Sequence, residues 1–234
     1  MNNEHYNYEK NNQVCLLGEI ISAPILEFKI YGEKFYSMNL SSKRLSDKTD
    51  IIPVIVSERL MKFPKNPEDL IGKTIEVHGQ LRSVNKRNEE ENKSHLCLSV
   101  FVKKVFILEE VKKHENSIIL KGFICKKPIY RQTPLGKEIT EVFLAVNRSY
   151  GKTDYIPCIC WGRNAMFAEE LPIGTELVIN GRIQSRVYVK KHENGTSEEK
   201  VVYEVSMATI CLASDDDAKT KEKKDENLHG DSEE

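Results

Sequence analysis

The stretch DYIPCICWGR, residues 154–163, decides the fold of this chain because a close copy of its first seven residues, DIIPVIV, stands at residues 50–56. In an extended strand, successive side chains point to opposite faces. The even-numbered positions of the stretch therefore share one face, and the odd-numbered positions, which include Tyr155 and Trp161, share the other. Both faces carry apolar side chains, so alternation alone leaves open which of them is the core.

The two stretches belong to an internal repeat. A displacement of 104 residues superimposes five pairs of anchors, namely Gly18 on Gly122, Pro24 on Pro128, Gly32 on Gly136, Arg44 on Arg148 and Asp50 on Asp154. A displacement of 102 then superimposes IGKTIEVHGQLRS from Ile71 on IGTELVINGRIQS from Ile173. The sequence therefore predicts two copies of one domain, preceded by a flexible arm and followed by a tail. The predicted boundaries are arm 1–12, first copy 13–111, linker 112–116, second copy 117–213 and tail 214–234.

Within each copy, short apolar runs are separated by turn signals, which is typical of an all-β fold. In the second copy the predicted strands are residues 118–124, 139–147, 154–161, 175–188 and 200–212. The predicted helix, RNAMFAEEL, lies between the third and fourth strands and ends before Pro172. Five strands with a helix at that place are the layout of an OB-fold barrel. The predicted fold is therefore all-β, with two tandem OB-fold five-stranded barrels and a disordered acidic C-terminal tail.

The prediction of a disordered tail rests on charge and composition. Residues 214–234 hold nine acidic side chains against four lysines, a net charge of −5, so residues 1–213 carry +4 of the overall −1. One leucine is the only large apolar side chain of the tail, too little to offset the entropy lost on ordering. The tail is either a solubilising end or an interaction or autoinhibitory segment.

Composition also bounds the class of protein. The 234 residues include 39% hydrophobic and 8% aromatic side chains, enough for real cores. The start MNNEHYNYEKNN lacks a basic segment followed by an apolar run, and no apolar segment approaches the roughly 20 residues that a membrane helix needs. We therefore expect a cytoplasmic protein with no membrane partner.

Motifs for catalysis and metal binding are missing from the sequence. It contains no GxxxxGKS/T, HExxH or GxSxG pattern, and its six histidines are scattered without a partner spacing. Its six cysteines lie mostly in apolar runs, where reduced thiols act as small hydrophobes. Cys158 and Cys160 have no second pair nearby, which favours core packing over a zinc site. We expect no enzymatic activity, no metal and no cofactor.

The second copy resembles the DNA-binding domain of bacterial single-stranded DNA-binding proteins (SSB) over nearly its whole length. The resemblance is carried by Gly122, Pro128, the TPLG turn, LAVNRSY, DYIPCICWG and GTELVINGRIQSRVY. It implies that single-stranded DNA stacks its bases on four aromatic positions, which here are Tyr150, Tyr155, Trp161 and Tyr188. It also implies that Ile156, Cys158 and Cys160 line the barrel while Tyr155 and Trp161 face outward.

Alternation in the fourth strand agrees with an outward-facing Tyr188. In GRIQSRVYV it places Arg182, Gln184, Arg186 and Tyr188 opposite Ile183, Val187 and Val189, which we take as the core face. Candidate DNA-binding cations are Arg148, Arg182 and Arg186 on the sheet, Lys126, Lys127 and Arg131 near the first turn, and Lys190 and Lys191 in the hairpin. Aromatic rings would stack on bases, and cations would neutralise phosphates. Ordinary packing for the aromatic residues and a solvated surface for the cations remain the alternatives.

The first copy departs from the family at the four base-stacking positions. The same displacements place Ser46, Ile51, Ser57 and Lys86 where the second copy has its four aromatic residues. None of the four is aromatic, although Phe35, Tyr36, Arg44 and the basic SKR and NKR segments could still touch a DNA backbone. We expect the first copy to serve mainly in assembly, as a weak electrostatic extension, or as a protein-binding surface.

The predicted function is sequence-tolerant single-stranded DNA binding, mainly through the second copy, in DNA replication, repair or recombination. One alternative is an OB-fold protein-interaction module of a replication complex without strong DNA binding, and another is an OB protein that prefers RNA. The resemblance also implies a homodimer with four barrels and possible replication or repair proteins as partners. The family usually ends its acidic tail with a short apolar tip, whereas this sequence ends at GDSEE, so we expect an accessory rather than a main single-strand binder.

Overall fold

A computed structural model of the chain describes residues 10–44, 46, 48–88, 93–109, 114–191 and 197–214. Most of the predicted arm, the first two residues of the predicted linker, and the acidic tail from residue 215 onward lie outside the described residues. The side chains of Tyr188, Lys190 and Lys191 also lie outside the description, although their backbones belong to a strand.

Twelve strands and one α-helix make up the described chain. The first copy contributes β1 (Asn12–Ile20), β2 (Ile25–Ile30), β3 (Glu33–Lys43), β4 (Thr49–Ser57), β5 (Thr74–Asn88) and β6 (Lys93–Leu108). The second contributes β7 (Asn116–Ile124), β8 (Ile129–Gln132), β9 (Glu138–Asn147), β10 (Thr153–Trp161), α1 (Arg163–Glu169), β11 (Glu176–Lys191) and β12 (Ser197–Leu212). Short 3₁₀ turns occupy Pro67–Leu70 and Ser149–Gly151.

Each copy closes into a barrel by the same set of pairings. In the first copy β1 pairs antiparallel with both β3 and β5, and β4 pairs parallel with β6. In the second copy β7 pairs in the same way with β9 and β11, and β10 pairs parallel with β12. The prediction of two tandem OB-fold barrels is confirmed.

The barrels have one more short strand each than the sequence predicted. The first strands end at Ile20 and Ile124, and Pro24 and Pro128, which have no N–H group to donate to a ladder, directly precede the next strands. The chain then forms β2 or β8, which returns antiparallel along β3 or β9. The turns between these strands contain Gly32 and Gly136, whose φ angles of +83° and +75° favour glycine.

The predicted core face of the fourth strand is correct for Ile183 and wrong for Val187 and Val189. Ile183 is fully buried, whereas both valines are more than half exposed. The reason is the length of the hairpin, since β11 and β12 stay paired from Leu177 opposite Leu212 out to Lys191 opposite Ser197. Its outer part projects beyond the barrel and has no core to cover.

The core face of β10 is the one that the family resemblance implied, and β4 buries the equivalent face. Ile156, Cys158 and Cys160 have relative exposures of 2% or less, as have their counterparts in β4, Ile52, Val54 and Val56. Burial raises the pKa of Cys158 well above its ordinary value and that of Cys160 to about 11. Both thiols are therefore protonated near neutral pH and pack as apolar groups.

The two barrels share one continuous sheet because β1 pairs antiparallel with β7. The register places Asn12 opposite Leu120 and Leu16 opposite Asn116. One hydrogen bond beyond each end of this register extends the pairing, from the Leu17 amide to the Glu115 carbonyl and from the Lys121 amide to the Asn11 carbonyl, both 2.8 Å. These bonds are equivalent under the displacement of 104, so the barrels are related by an approximate two-fold axis between β1 and β7.

Candidate nucleic-acid interface

The outer face of β10 carries two half-exposed aromatic rings. Tyr155 is 45% exposed and Trp161 is 43% exposed, and both point away from the buried side chains of the same strand. Six residues at about 3.3 Å each separate the two positions by roughly 20 Å. Between them Ile159 is buried, so the two rings mark the open ends of the face.

Phe143 extends this aromatic face onto β9. Its ring stacks against that of Tyr155 with centroids 6.5 Å apart and an interplanar angle of 14°. The ammonium of Lys126 lies 4.6 Å from the centroid of the Phe143 ring, within cation–π distance. Sequence reasoning missed Phe143, although its place between the core residues Val142 and Leu144 put an aromatic side chain on the outer face.

Tyr150 lies on a turn rather than on the strand that carries Tyr155 and Trp161. It lies in the 3₁₀ turn after β9 with φ +70°, a left-handed conformation that is uncommon outside glycine, and its side chain is fully exposed. A cleft of about 350 Å³ adjoins it, lined also by Arg82 and Lys103 of the first copy and by Lys152. Tyr150 therefore lies beside cations from both copies.

Tyr188, Lys190 and Lys191 fall on the projecting part of β11, where only the backbone is described. Tyr188 pairs with Lys200 of β12. That these three side chains take part in DNA binding therefore stays a prediction.

Four predicted cations lie at the surface of the second barrel. Lys126 and Lys127 are exposed in the turn after β7. Arg131 is half exposed and forms an ion pair with Glu141 across β8 and β9. Arg186 is also half exposed, with its Nε 3.7 Å from the Glu204 carboxylate. Their charges are therefore within reach of an anionic ligand, although carboxylates partly neutralise two of them.

Arg148, a candidate DNA-binding cation, is largely withdrawn from solvent. Its side chain is 23% exposed, and its guanidinium binds both carboxylate oxygens of Asp154, with Nε donating to Oδ2 at 2.6 Å. Its Nη2 also donates to the carbonyl of Ser83 in the first copy, at 3.2 Å. The donors expected to meet phosphate are thus used inside the protein.

Arg182 is likewise partly withdrawn from the surface. Its Nη2 donates to Gln184 Oε1 at 3.0 Å, and Gln184 itself is buried. Burial is the main cause that lowers the pKa of Arg182, and the nearby Arg44 lowers it further. Of the polar side chains on β11 that were predicted to face outward, Arg186 is therefore the first that is exposed.

Two equivalent contacts join the barrels, one at Asp154 beside Arg148 and one at Asp50 beside Arg44. Asp154 accepts a hydrogen bond of 2.6 Å from the amide of Ser83, and Asp50 accepts one of 2.9 Å from the amide of Ser185. Each aspartate is almost fully buried, and each is held by the arginine six residues before it in its own copy. Each barrel therefore has a buried Arg–Asp pair whose aspartate binds the long hairpin of the other barrel. The two pairs are related by the approximate two-fold axis.

The first copy presents a different surface at the positions of the four aromatic residues. Ile51 is 44% exposed, whereas Ser57 is buried and donates its hydroxyl to Glu33. Lys86 forms an ion pair of 2.5 Å with Glu27, an interaction that raises the pKa of Lys86 and lowers that of Glu27. Ser46 is exposed.

Aromatic residues of the first copy form a stacked row on other strands. Phe28 and Phe35 stack at 5.0 Å, Phe35 and Phe101 stack at 5.6 Å, and the guanidinium of Arg82 lies 3.8 Å above the Phe101 ring. Tyr36 packs on Phe63 at 4.3 Å instead. These rings are partly buried against one another. Two of the first-copy residues considered for DNA contact are therefore already engaged. Phe35 stacks on Phe28 and Phe101, and Arg44 is ion-paired with Asp50.

A groove of about 910 Å³ runs along this face of the first copy. Phe28, Asn39 and Ile55 form part of its floor, and Lys200 and Tyr203 from the hairpin of the second copy form part of its wall. The hairpin of the second barrel therefore overhangs the sheet face of the first.

Two OB barrels joined through their first strands, with exposed aromatic rings on an outer sheet face, define a double-barrel OB-fold protein. A sequence model of the Single-strand binding protein family matches residues 115–226. Single-stranded DNA-binding protein B of Bacillus subtilis is 31% identical over 118 residues, which are 46% of this chain and 96% of that protein. The chain belongs to the single-strand binding protein family.

Other comparisons agree with this membership. Single-stranded DNA-binding protein A of Bacillus subtilis is 32% identical over 102 residues, 41% of this chain and 57% of that protein. The chain spans about half the length of several such curated relatives. The crystal structure of a deletion mutant of the single-stranded DNA binding protein from Thermus aquaticus shares the fold, with a TM-score of 0.62, 22% identity and coverage of 86% of this chain and 93% of that one.

Family membership also bears on one other expectation. The family is one of single-strand binding proteins rather than enzymes, in agreement with the prediction that the chain is not an enzyme. Among the described residues, no helix has both the length and the apolar character to cross a membrane.

Proposed function

We propose that this chain binds single-stranded DNA with little sequence preference, in DNA replication, repair or recombination. The observation that carries the proposal is the outer face of β9 and β10, where Phe143, Tyr155 and Trp161 present aromatic rings over roughly 20 Å. That length suits an extended strand of several nucleotides better than a single bound base. The names of the relatives, which are single-stranded DNA-binding proteins, support the same ligand.

The chemistry of this face explains a tolerance of sequence. Every base has a π surface, so stacking on a tyrosine or tryptophan contributes about 1 to 3 kcal/mol per base with little regard to base identity. Lys126, Lys127, Arg131 and Arg186 border the second barrel and supply the charge that binds phosphates and releases counterions. Tyr150, beside Lys152 and Lys103, extends the same combination toward the first barrel.

The first barrel contributes less to DNA binding in this proposal. Its equivalent positions hold Ile51, the buried Ser57, and a Lys86 that is already paired with Glu27. Its own aromatic row is stacked internally, which leaves less ring surface for bases. Its larger role is to hold the second barrel through β1 and through the two Asp–Ser contacts.

We also propose a homodimer that presents four barrels. The edges of β1 and β7 are used within the chain, because these strands pair with each other. In the strand order of the sheet, β2 and β8 stand at the two ends and remain as edges for pairing between chains. Light scattering at micromolar concentration should give twice the chain mass, and a monomer mass would contradict the proposal.

A fluorescence titration tests the binding function. Trp161 is the only tryptophan, so its emission reports on the proposed face alone. Oligo-dT should quench this emission, and the affinity should fall steeply as salt rises, because phosphate contacts release counterions. A matched oligo-U competitor tests the RNA-preferring alternative, since stacking by itself does not exclude ribose. Unchanged emission, with no complex detected by sedimentation, would instead favour a protein-interaction module.

A further inference from the structure

Cys15, Glu76 and His78 form a cluster on the first barrel, where β1 pairs with β5. Cys15 and His78 are direct partners in the register, and Glu76 lies two positions before His78, on the same face of β5. One ligand atom from each of the three side chains lies within 4.8 Å of the other two. His78 Nε2 is 2.7 Å from Glu76 Oε1 and 4.0 Å from Cys15 Sγ.

The three side chains offer the ligand atoms that zinc binds in proteins. Thiolate sulfur, imidazole nitrogen and carboxylate oxygen bind Zn²⁺ at about 2.3, 2.0 and 2.1 Å, in tetrahedral geometry. Those bond lengths place neighbouring ligand atoms about 3.4 to 3.6 Å apart. The observed separations of 2.7 and 4.0 Å lie on either side of that range. Because no two of the three ligand atoms are more than 4.8 Å apart, changes of about half an ångström to one ångström in side-chain position would bring all three onto one ion.

A bare hydrogen-bonded group on a strand surface is the ordinary interpretation of such a cluster. Comparison of the two copies favours a role for the cluster other than folding. At the equivalent positions the second copy has Ile119, Val178 and Asn180, none of which is a usual zinc ligand, and its barrel forms equally well. The OB barrel therefore does not need these three side chains for its folding.

The surroundings of the cluster suit a bound ion that still reaches solvent. The ring of Phe106 meets the His78 imidazole edge-on at 5.9 Å and restricts its rotation. The side chains of Glu76 and His78 are partly exposed, which leaves room for a fourth ligand from water. In contrast to the expectation of no metal drawn from the sequence, we propose that Cys15, Glu76 and His78 form a zinc-binding site with an open fourth position.

The test uses the full chain after removal of metals, with Zn²⁺ and then Co²⁺ as probes. Calorimetry with Zn²⁺ should give one ion per chain. Co²⁺, which takes the same geometry, should give a thiolate-to-metal charge-transfer band in the near ultraviolet. Cys15→Ser should abolish that band, and His78→Asn should weaken Zn²⁺ binding by at least about tenfold. Asparagine is the residue of the second copy at this position, so the His78→Asn barrel is expected to fold.

Cys211→Ser is the matched control, because Cys211 is also partly buried on a strand of the same sheet. It should keep both the stoichiometry and the charge-transfer band. Circular dichroism and oligo-dT binding, which depend on other residues, should be the same in all variants. Failure of the full chain to bind Zn²⁺ at micromolar concentration would overturn the proposal, as would a charge-transfer band that survives in Cys15→Ser. Either result leaves the DNA-binding proposal standing.

Discussion

The backbone amide of Tyr155 donates a hydrogen bond of 2.8 Å to the hydroxyl oxygen of Ser83, which belongs to the other barrel. The first barrel thus helps to fix the backbone of a residue on the proposed stacking face of the second. The two-fold counterpart is a bond of 3.3 Å from the Ile51 amide to the hydroxyl of Ser185. The two hydrogen bonds are structurally equivalent, but only the first holds the backbone of an aromatic residue.

This equivalence makes Ser83→Ala and Ser185→Ala a matched pair. Each substitution removes the hydroxyl that accepts this hydrogen bond between the barrels, and Ser185→Ala also removes a long one of 3.5 Å that the Ser185 hydroxyl donates to Asp50 Oδ1. Each should lower the free energy of unfolding by about 1 kcal/mol in urea denaturation. Ser83→Ala should also weaken oligo-dT binding a few-fold, because Tyr155 loses a positioning contact, while Ser185→Ala should not. Equal effects on DNA affinity would show that the contact does not act through Tyr155.

Arg148→Ala should behave as a stability variant. Removal of the guanidinium leaves the carboxylate of Asp154 buried without its main partner, and breaking a buried ion pair in this way costs about 3 to 5 kcal/mol. Denaturant unfolding measures this loss. Arg131→Ala is the control, because Arg131 is half exposed, and its loss should change stability by no more than about 0.5 kcal/mol. A stable Arg148→Ala protein with a reduced salt dependence of DNA binding would mean that Arg148 contacts phosphate after all.

Alkaline pH should destabilise the protein through its buried thiols. Burial raises the pKa of Cys160 to about 11, whereas an unfolded thiol titrates near a pKa of about 8.5. Between these values the unfolded chain loses a proton that the folded chain retains, so stability falls as pH rises through this window and is unaffected below it. Urea midpoints between neutral pH and pH ~10 measure the slope.

Cys160→Ala removes one of the buried titrations, so its stability should decline less steeply than that of the parent. Identical slopes for the parent and Cys160→Ala would show that this thiol titrates alike in the folded and unfolded states.

The salt dependence of DNA binding should separate free from paired lysines. Lys126 lies beside Phe143 on the proposed face, so Lys126→Ala should reduce the slope of log affinity against log salt by about one unit. Lys86→Ala should leave the slope unchanged, because its ammonium is already bound by Glu27. Titrations of labelled oligo-dT at several salt concentrations measure both slopes. A reduced slope for Lys86→Ala alone would reverse the roles of the two barrels.

Alternation and the internal repeat predicted the features that depend on local sequence. The burial of Ile156 and Cys158, and the outward direction of Tyr155 and Trp161, follow from the period of a strand once its core face is known. The extra strands β2 and β8 are less visible, because each is short and follows a proline.

The contacts of Arg148 depend on long-range structure that alternation cannot reveal. The partners of Arg148 are Asp154, six residues away, and Ser83, in the other copy, and only the joining of β1 to β7 brings Ser83 near. The aromatic row of the first copy was missed for a related reason. Comparison of the copies position by position looks for rings at fixed places, whereas Phe28 and Phe101 stand on other strands and stack on Phe35 only in the folded barrel.

The most direct test of the division of roles compares Tyr155→Ala with Ile51→Ala. The two residues are equivalent under the repeat and almost equally exposed, at 45% and 44%, so the two substitutions should disturb folding to a similar degree. Binding of labelled oligo-dT is followed by fluorescence anisotropy, with circular dichroism as the folding control. We predict that Tyr155→Ala weakens binding by about 1 to 3 kcal/mol, the range for one base–aromatic stack, and that Ile51→Ala leaves it nearly unchanged. Tight binding by a folded Tyr155→Ala protein, together with a loss in Ile51→Ala, would contradict the assignment of DNA binding to the second barrel.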